Sequence, residues 1–169
     1  MSVSQYDESR YSLEFRSYAI EQMLDRDLEE VVAIEEITGL NRWGYDAYRR
    51  ELFKNPDSLL LVARRFDRDE QGRAIVGFIA GWTVEDELHV NNLASHPEYR
   101  GKGIGRSLME AAVDEAMLRG ASFVLLEVRA TNEAAQGLYR KLGFSYVGRR
   151  RDYYRLPTED AFVMKLEIK

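Results

Sequence analysis

The sequence predicts an α/β fold in which a mixed, mostly antiparallel sheet carries helices on both faces. The first observation is the element order indicated by the hydrophobic pattern, β-α-α-β-β-β-α-β-α-β-β. The second is a series of apolar runs at residues 58–64, 75–83 and 88–95, joined by polar turns as in an antiparallel meander. The third is a helical stripe between residues 88–95 and 122–128, which indicates a crossover unit joining those two strands.

Length and composition fit one globular domain. The chain has 169 residues and is 45% hydrophobic, which is enough for a core. Residues 1–17 are polar and aperiodic, so we expect them to form an N-terminal extension and residues 18–169 to form the domain. Because the chain has no cysteine, it has no disulfide scaffold, thiolate nucleophile or cysteine-based zinc site. His89 and His96 have no nearby set of metal ligands, so no metal is expected.

Charge and the polar start of the chain bear on partners and location. A net charge of −5 is unusual for a nucleic-acid-binding protein, so DNA or RNA is not the expected partner. No apolar run reaches the length of a membrane span, and residues 1–10 lack the apolar core of a secretion signal. We expect a cytoplasmic protein without membrane contact, as a monomer or weak dimer. The arginine run at residues 149–151 is interpreted as a solvated strand end, with docking of an acidic partner as the alternative.

The first third of the chain predicts one strand and two helices. Residues 18–23 form the strand, and Asp25 is placed to cap a helix that Gly39 ends. A connector containing Trp43 leads to a second, short helix at residues 46–53, which an Asn-Pro-Asp turn ends.

The later elements follow from turn residues and apolar spacing. Residues 66–73 form a polar hairpin loop, and Gly77 and Gly81 in the following strand indicate close packing against a neighbour. Pro97 ends the third meander strand near Ser95, because proline cannot donate to a ladder. The remaining predicted elements are a helix at residues 105–120, a strand at 122–128, a helix from the Thr131-Asn132 cap to Gly143, a strand at 144–152, a loop at 153–160 and a strand at 161–168.

A glycine-rich loop after the third meander strand has the features of a phosphate-binding site. Residues 101–106 read Gly-Lys-Gly-Ile-Gly-Arg, so backbone N–H groups can approach an anion just where a helix begins. Arg100, Lys102 and Arg106 add positive charge, which suits a diphosphate. The spacing fits neither a dinucleotide fingerprint nor a P-loop. The alternative is a glycine-rich turn that binds nothing.

Glu127 is a charged residue in a predicted strand that is otherwise mostly apolar. A carboxylate there is costly unless it has a partner or faces a cleft. One interpretation is an ion pair with Arg129, which lies on the same face of the strand. The other is a base: beside an apolar wall its pKa would be raised, which suits deprotonating an incoming ammonium.

Two further groups would complete an acyl-transfer site. Tyr139 lies seven residues after Asn132 on one helix face, where it is either a core aromatic or a phenol that donates a proton to a thiolate leaving group. In a splayed strand, the N–H of Leu93 or of its neighbour would polarise a thioester carbonyl.

Three segments resemble the successive core motifs of the GCN5-related N-acetyltransferases, the GNAT superfamily. They are residues 92–105, 126–132 and 138–144. Leu-Glu-Val-Arg-x-x-Asn at 126–132, with Arg-Arg-Arg-Asp-Tyr-Tyr at 149–154 and Glu-Asp-Ala at 159–161, narrows the resemblance to the RimI-type ribosomal-protein alanine N-acetyltransferases. The resemblance covers residues 18–168.

The resemblance implies a reaction and a set of site residues. The expected reaction is transfer of the acetyl group of acetyl-CoA, by direct attack, to a protein N-terminal amine, with a ribosomal-protein alanine N-terminus as the favoured acceptor. Glu127 matches the general base and Tyr139 the general acid. The implied acetyl-CoA contacts are Leu93, Ala94, Ser95, Arg100, Gly101, Lys102, Gly103, Ile104, Gly105, Arg106 and Asn132. The implied acceptor contacts are Trp43, Tyr153 and Tyr154.

One departure from the family pattern concerns the acceptor. RimI-type enzymes usually carry a Pro-Trp-Ser-like turn between the first two helices, whereas residues 42–44 here are Arg-Trp-Gly. Two other functions stay open. One is acetyl transfer to a small-molecule amine, for which Glu35, Glu36 and Asp46 would supply an acidic entrance. The other is a non-enzymatic domain that binds CoA and docks partners through residues 149–151.

Overall fold

The computed structural model describes residues 17–168, so the N-terminal extension predicted at residues 1–17 lies, apart from Ser17, outside the described residues and stays a prediction. Over residues 17–168 the elements come in the predicted order. The strands are β1 (Tyr18–Gln22), β2 (Ser58–Arg65), β3 (Ile75–Val84), β4 (Glu87–Ser95), β5 (Phe123–Arg129), β6 (Ser145–Arg155) and β7 (Thr158–Glu167). The helices are α1 (Leu28–Thr38), α2 (Tyr45–Lys54), α3 (Ile104–Leu118) and α4 (Glu133–Lys141).

The strands of residues 17–168 form one mixed sheet in the order β1-β2-β3-β4-β5-β7-β6. Among these strands of residues 17–168, only the pair of β4 and β5 is parallel, and the other neighbouring pairs are antiparallel. The β4–β5 ladder extends only from the pair Glu87–Phe123 to the pair Val90–Leu126. Beyond that point the two strands diverge, and within the described part of the chain residues 91–95 of β4 have no ladder partner on the β5 side. The predicted mixed, mostly antiparallel sheet is confirmed.

A bulge in β4 lies where the two strands separate. The register against β3 shifts between the pairs Ala80–Asn92 and Gly81–Val90, so Asn91 is an extra residue in β4. A bulge of this kind bends its strand and re-aims the side chains next to it. A Cβ on Gly81 would lie 2.6 Å from a carbonyl oxygen of β4, so glycine is required for this close approach.

Helices pack on both faces of the sheet, and each face has its own core. One core includes Leu108 of α3 and Leu126 of β5, and α4 packs against the same cluster. The other includes Tyr48 of α2 and Phe78 of β3. At Gly77 the approach of α3 to β3 is so close that a Cβ would lie 2.7 Å from a side-chain carbon of the helix. The sheet therefore separates a face that carries α3 and α4 from a face that carries α1 and α2.

The first helix begins differently from the prediction. Asp25 opens a short 3-10 turn instead of capping the helix, and Asp27 holds the position before α1. The carboxylate of Asp27 is buried, accepts a hydrogen bond from the backbone N–H of Leu24 at 2.8 Å, and takes two more from Arg64 at 2.9 and 2.7 Å. Asp27 thus anchors the turn to β2, a contact that local spacing does not reveal.

The closing hairpin also differs from the prediction. Residues 153–160 were expected as a loop, but β6 runs to Arg155 and β7 begins at Thr158. The β6–β7 register is interrupted between the pairs Arg150–Ala161 and Tyr154–Glu159, which leaves an irregular stretch in β6. Because a bulge breaks the two-residue alternation, the sequence pattern does not show that the strand continues.

Candidate active site

A groove of about 520 Å³ follows the diverging part of β4 to the start of α3. Gly101 and Gly103 on its edge have φ angles of +74° and +77°, and a Cβ on either would meet no heavy atom within 4 Å. The loop therefore needs glycine for its backbone conformation and faces open space. The first N–H groups of α3 have no helical acceptor, so they can bind an anion seated against this loop.

The groove collects all but one of the predicted acetyl-CoA contacts. Those that line it are Leu93, Ala94, Ser95, Arg100, Gly101, Gly103, Ile104, Gly105, Arg106 and Asn132. Lys102 instead lines a neighbouring cavity of about 660 Å³, where its Nζ lies 4.9 Å from the centroid of the Tyr99 ring. Asn132 caps α4 as predicted, because its Oδ1 accepts the backbone N–H of Ala135 at 3.1 Å.

A smaller cavity of about 120 Å³ lies where β4 and β5 separate. It is lined by residues 38–41 between α1 and α2, by residues 90–93 of β4 and by residues 126–129 of β5. Leu93, Asn132 and Tyr139 line both this cavity and the groove. The two spaces therefore meet, as required of a site in which one molecule passes a group to another.

Glu127 projects from the end of β5 into this cavity, with a side chain only 8% exposed. Its Oε2 lies 2.7 Å from Nε2 of His89, and its Oε1 lies 3.1 Å from Nε of Arg150. The alternative ion pair with Arg129 is not formed, because Arg129 binds Glu159 at 3.3 Å. The arginine run is solvent-exposed, as interpreted from the sequence, but the exposed Arg150 also contacts the candidate base directly.

The pKa of Glu127 is lowered in the structure, opposite to the raised pKa expected from the sequence. Burial alone would raise its pKa, but the hydrogen bond to His89 and the charges of His89 and Arg150 outweigh burial, so the pKa lies below its ordinary value. The hydrogen bond to Glu127 in turn raises the pKa of His89, against the lowering effect of burial. Glu127 is therefore held as a carboxylate at neutral pH, ready to accept a proton but only weakly basic.

Tyr139 faces the same cavity from α4. Its ring is buried and packs against Phe144 with centroids 5.6 Å apart. Its hydroxyl has no hydrogen-bond partner among the described residues. Every fully buried side-chain oxygen of those residues does have a partner, so the Tyr139 hydroxyl is not fully buried and opens onto the cavity. Burial raises the pKa of Tyr139 far above its ordinary value. Tyr139 is thus both a core aromatic and an available proton donor.

Of the three predicted acceptor contacts, one lines the small cavity and two do not. Tyr154 is buried and lines the small cavity, with Arg129 lying 4.1 Å from the centroid of its ring. Tyr153 is 40% exposed and meets Tyr154 edge to face. Trp43 does not line the cavity, because it stacks on Trp82 with centroids 5.4 Å apart. Residues 38–41 of the same connector form that wall instead.

Sequence reasoning missed a buried network behind this wall. Glu35 is 1% exposed; its Oε1 accepts the backbone N–H of Gly44 at 3.0 Å and its Oε2 accepts the Tyr48 hydroxyl at 2.5 Å. Asn92 of β4 donates to the same hydroxyl at 2.9 Å and to the carbonyl of Asn41 at 3.3 Å. These bonds fix the connector to the bulged strand. His89 was missed for a related reason, since its contact depends on strand register.

Residues 17–168 contain neither a metal-ligand cluster nor a helix of membrane-spanning character. No group of three or more histidine, aspartate and glutamate side chains there is arranged to hold a metal ion. No helix within this range has the length and apolar character needed to cross a membrane.

Comparison with known proteins identifies the family. The model of the acetyltransferase (GNAT) family matches residues 18–144. A Bacillus subtilis (strain 168) protein, provisionally named as a [ribosomal protein bS18]-alanine N-acetyltransferase, is 35% identical over 150 residues, covering 89% of this chain and 95% of the relative. The [ribosomal protein bS18]-alanine N-acetyltransferase of Escherichia coli (strain K12) is 42% identical over 102 residues, which span 58% of this chain and 68% of the relative.

A solved structure agrees over nearly the whole length. The crystal structure of the ribosomal-protein-S18-alanine N-acetyltransferase from Escherichia coli matches with a TM-score of 0.77 and 30% identity, over 90% of this chain and 94% of that one. With the divergent β4–β5 pair and the glycine loop already described, these matches show that the chain belongs to the acetyltransferase (GNAT) family.

Proposed function

We propose that this protein transfers the acetyl group of acetyl-CoA to the α-amine of a protein N-terminus, with an N-terminal alanine of ribosomal protein bS18 as the first acceptor to test. One observation carries the proposal. Glu127 and the free hydroxyl of Tyr139 face one small cavity, and Tyr139 also lines the groove beside the glycine loop, into which that cavity opens. The names of the relatives from Bacillus subtilis and Escherichia coli support the choice of acceptor.

The groove fits acetyl-CoA in its charges and its backbone. The glycine loop, the start of α3 and the guanidinium groups of Arg100 and Arg106 offer donors and positive charge to a diphosphate. Residues 91–95 of β4 have no ladder partner on the β5 side. Free N–H groups along this edge can bind the amides of a pantetheine arm, and we assign the thioester carbonyl to the N–H of Leu93. One such donor contributes about 2.7–4 kcal/mol to an oxyanion-like transition state.

Glu127 accepts the proton of the incoming ammonium. A free α-amine has a pKa of about 7.7–8.0 and a lysine side chain one of about 10.4. A carboxylate whose own pKa is depressed is a weak base, and its proton transfer from the more acidic α-ammonium is less unfavourable than that from a lysine ammonium. The site therefore favours N-terminal over lysine acetylation.

Tyr139 completes the transfer. The neutral amine attacks the thioester carbon to form a tetrahedral intermediate. As the C–S bond breaks, the phenol of Tyr139 gives its proton to the departing sulfur, and the proton that the nitrogen loses on becoming an amide restores the phenol. Burial raises the pKa of Tyr139 far above its ordinary value, so the phenol stays protonated and available as a donor while the C–S bond breaks. No acyl-enzyme is needed, since the described residues of the cavity include no cysteine or base-activated serine.

The structure weighs against a polyamine-like small acceptor. Among the described residues that line the small cavity, Glu127 is the only carboxylate. Glu35 is buried in its network with Tyr48, and Glu36 is paired with Arg42. Asp46 lines a different pocket on α2. The acidic entrance that would favour a polycation is therefore not formed by these residues.

Mass spectrometry with matched peptides tests the proposal. Purified protein is incubated with acetyl-CoA and a peptide that carries the N-terminal sequence of bS18, starting with alanine and containing one lysine. Acetylation of the α-amine alone is expected. The same peptide with a blocked α-amine serves as the control and is expected to stay unmodified. Modification of the blocked peptide at lysine, or of a polyamine but not of the free peptide, would contradict the proposal.

A further inference from the structure

The two oxygens of the Glu127 carboxylate have different kinds of partner. His89 binds Oε2 and has a side chain 28% exposed, whereas Arg150 binds Oε1 and has a side chain 56% exposed. Both residues bring a donor to the base, and an incoming amine has to reach one of the two oxygens beside these donors. Arg150 is the more exposed of the two, so water can replace it more easily than it can replace His89.

Backbone pairing makes His89 the fixed partner. His89 lies inside the sheet and is in register with Trp82 of β3 on one side and with Leu125 of β5 on the other. Arg150 lies on the edge strand β6, directly before the stretch where the register with β7 is interrupted. The amine can therefore approach Oε1 as Arg150 moves away, while His89 continues to hold Oε2.

We propose that His89 is a positioning residue for acetyl transfer, which orients Glu127 through Oε2 so that Oε1 faces the acceptor amine. This inference rests on the proposed function, because it assumes that Glu127 is the base. His89 does not touch the reacting atoms. Its N–H fixes the carboxylate, and its positive charge, when present, lowers the affinity of Glu127 for a proton.

The charges around His89 determine how the effect varies with pH. Glu127 on β5 and Glu87 on β4 favour the imidazolium, and Arg150 on β6 opposes it. At acidic pH the imidazolium makes Glu127 a weaker base. As the pH rises and His89 loses its charge, the neutral ring still donates from Nε2, and Glu127 becomes more basic. The contribution of His89 to turnover therefore depends on pH, which a purely structural contact would not show.

Two substitutions at position 89 separate the donor from the charge. His89→Gln keeps an N–H donor but cannot titrate, and His89→Leu removes both. With acetyl-CoA and the alanine peptide, we expect His89→Leu to lower kcat roughly 10- to 100-fold, part of what a general base contributes, with KM for acetyl-CoA unchanged. His89→Gln should recover most of this loss. Its kcat relative to wild type should rise as the pH falls. A normal kcat for His89→Leu, or a pH-independent ratio for His89→Gln, would overturn the proposal.

A nuclear magnetic resonance titration gives a readout that does not require turnover. The chain has two histidines, so His96→Gln assigns their ring signals. We expect His89 to titrate above the ordinary histidine pKa in the wild type and closer to it in Glu127→Gln. An identical titration in both proteins would contradict the contact itself. If the wild type acetylates no N-terminal peptide while the titration behaves as expected, the proposed function fails and the His89–Glu127 coupling stands.

Discussion

Glu127 and Tyr139 line one cavity from opposite elements, Glu127 from the end of β5 and Tyr139 from α4. The sheet side of the cavity thus offers a proton acceptor and the helix side a proton donor. In direct transfer the amine loses a proton and the sulfur gains one, so the two residues fit the two halves of a single reaction.

Replacing either group should reduce turnover without preventing donor binding. We expect Glu127→Gln to lower kcat roughly 100-fold or more and Tyr139→Phe roughly 10- to 100-fold, because each removes one proton transfer but leaves the substrates side by side. Release of the CoA thiol can be followed with a thiol reagent, since the protein has no cysteine. Calorimetric binding of acetyl-CoA should be unchanged. Wild-type rates in both variants would refute the catalytic assignment.

Gly103 should matter for donor binding beyond its effect on stability. Gly103 and Gly120 flank α3, both have positive φ, at +77° and +90°, and a Cβ on either would meet nothing within 4 Å. Alanine should therefore destabilise the fold by a similar amount at each position, about 1–2 kcal/mol. Only Gly103→Ala should weaken acetyl-CoA binding, measured by calorimetry, because only Gly103 borders the groove. Equal affinities of the two variants would contradict this location of the diphosphate.

The pH profile should show no loss of the Tyr139 proton at moderately alkaline pH. Burial raises the pKa of Tyr139 above its ordinary value, so the neutral donor form persists beyond the range in which an exposed tyrosine ionises. We expect no fall in kcat at saturating substrates from neutral pH to about pH 10, the ordinary tyrosine pKa. A fall in kcat below that pH, seen in the wild type but not in Tyr139→Phe, would contradict the prediction because it would show that the phenol ionises in this range.

Local chemistry explains which parts of the fold were predictable. The glycine loop, the Asn132 cap and the apolar stripes are signals within a few residues of each other, and each appears where predicted. Asp27 and the irregular stretch of β6 were missed, because a buried ion pair with Arg64 and a shifted register depend on residues far away in the chain.

The candidate site divides in the same way. Glu127 was recognisable as a charge in an apolar strand, but its partners His89 and Arg150 come from two other strands. Their contact depends on the β4–β5 register and on the path of β6, neither of which the pattern of one strand contains. For that reason the prediction that the Glu127 pKa is raised was wrong. Burial is visible in a sequence, whereas the partners that outweigh it are not.

The buried ion pair between Asp27 and Arg64 should contribute strongly to stability. Asp27 has a side chain 2% exposed and is held by both terminal nitrogens of Arg64. Replacing Asp27 leaves the largely buried guanidinium of Arg64 with the half-exposed Glu21 as its remaining ion-pair partner, so we expect Asp27→Asn to lower the free energy of unfolding by about 3 kcal/mol. Glu21 binds the same guanidinium at 2.6 Å but is 47% exposed, and Glu21→Gln should cost less than about 1 kcal/mol. Urea unfolding of both variants makes the comparison, and equal losses would contradict it.

The bond between Tyr48 and Glu35 should affect the acceptor more than the donor. Tyr48→Phe removes the hydroxyl that joins Glu35 to Asn92, so residues 38–41 lose part of their attachment to β4. A buried group left without its partner costs about 1–3 kcal/mol in stability. If displacement of the cavity wall weakens peptide binding by about 1 kcal/mol of this cost, KM for the peptide rises roughly fivefold.

KM for acetyl-CoA should not change in Tyr48→Phe, because most of the groove wall comes from β4, the glycine loop and α4. Tyr45→Phe is the matched control, since Tyr45 lies on the same helix and is 40% exposed. Steady-state kinetics with each substrate varied in turn decides the matter. A parallel rise in both KM values would show that the network supports the fold in general, whereas a rise confined to the peptide locates the acceptor against the α1–α2 connector.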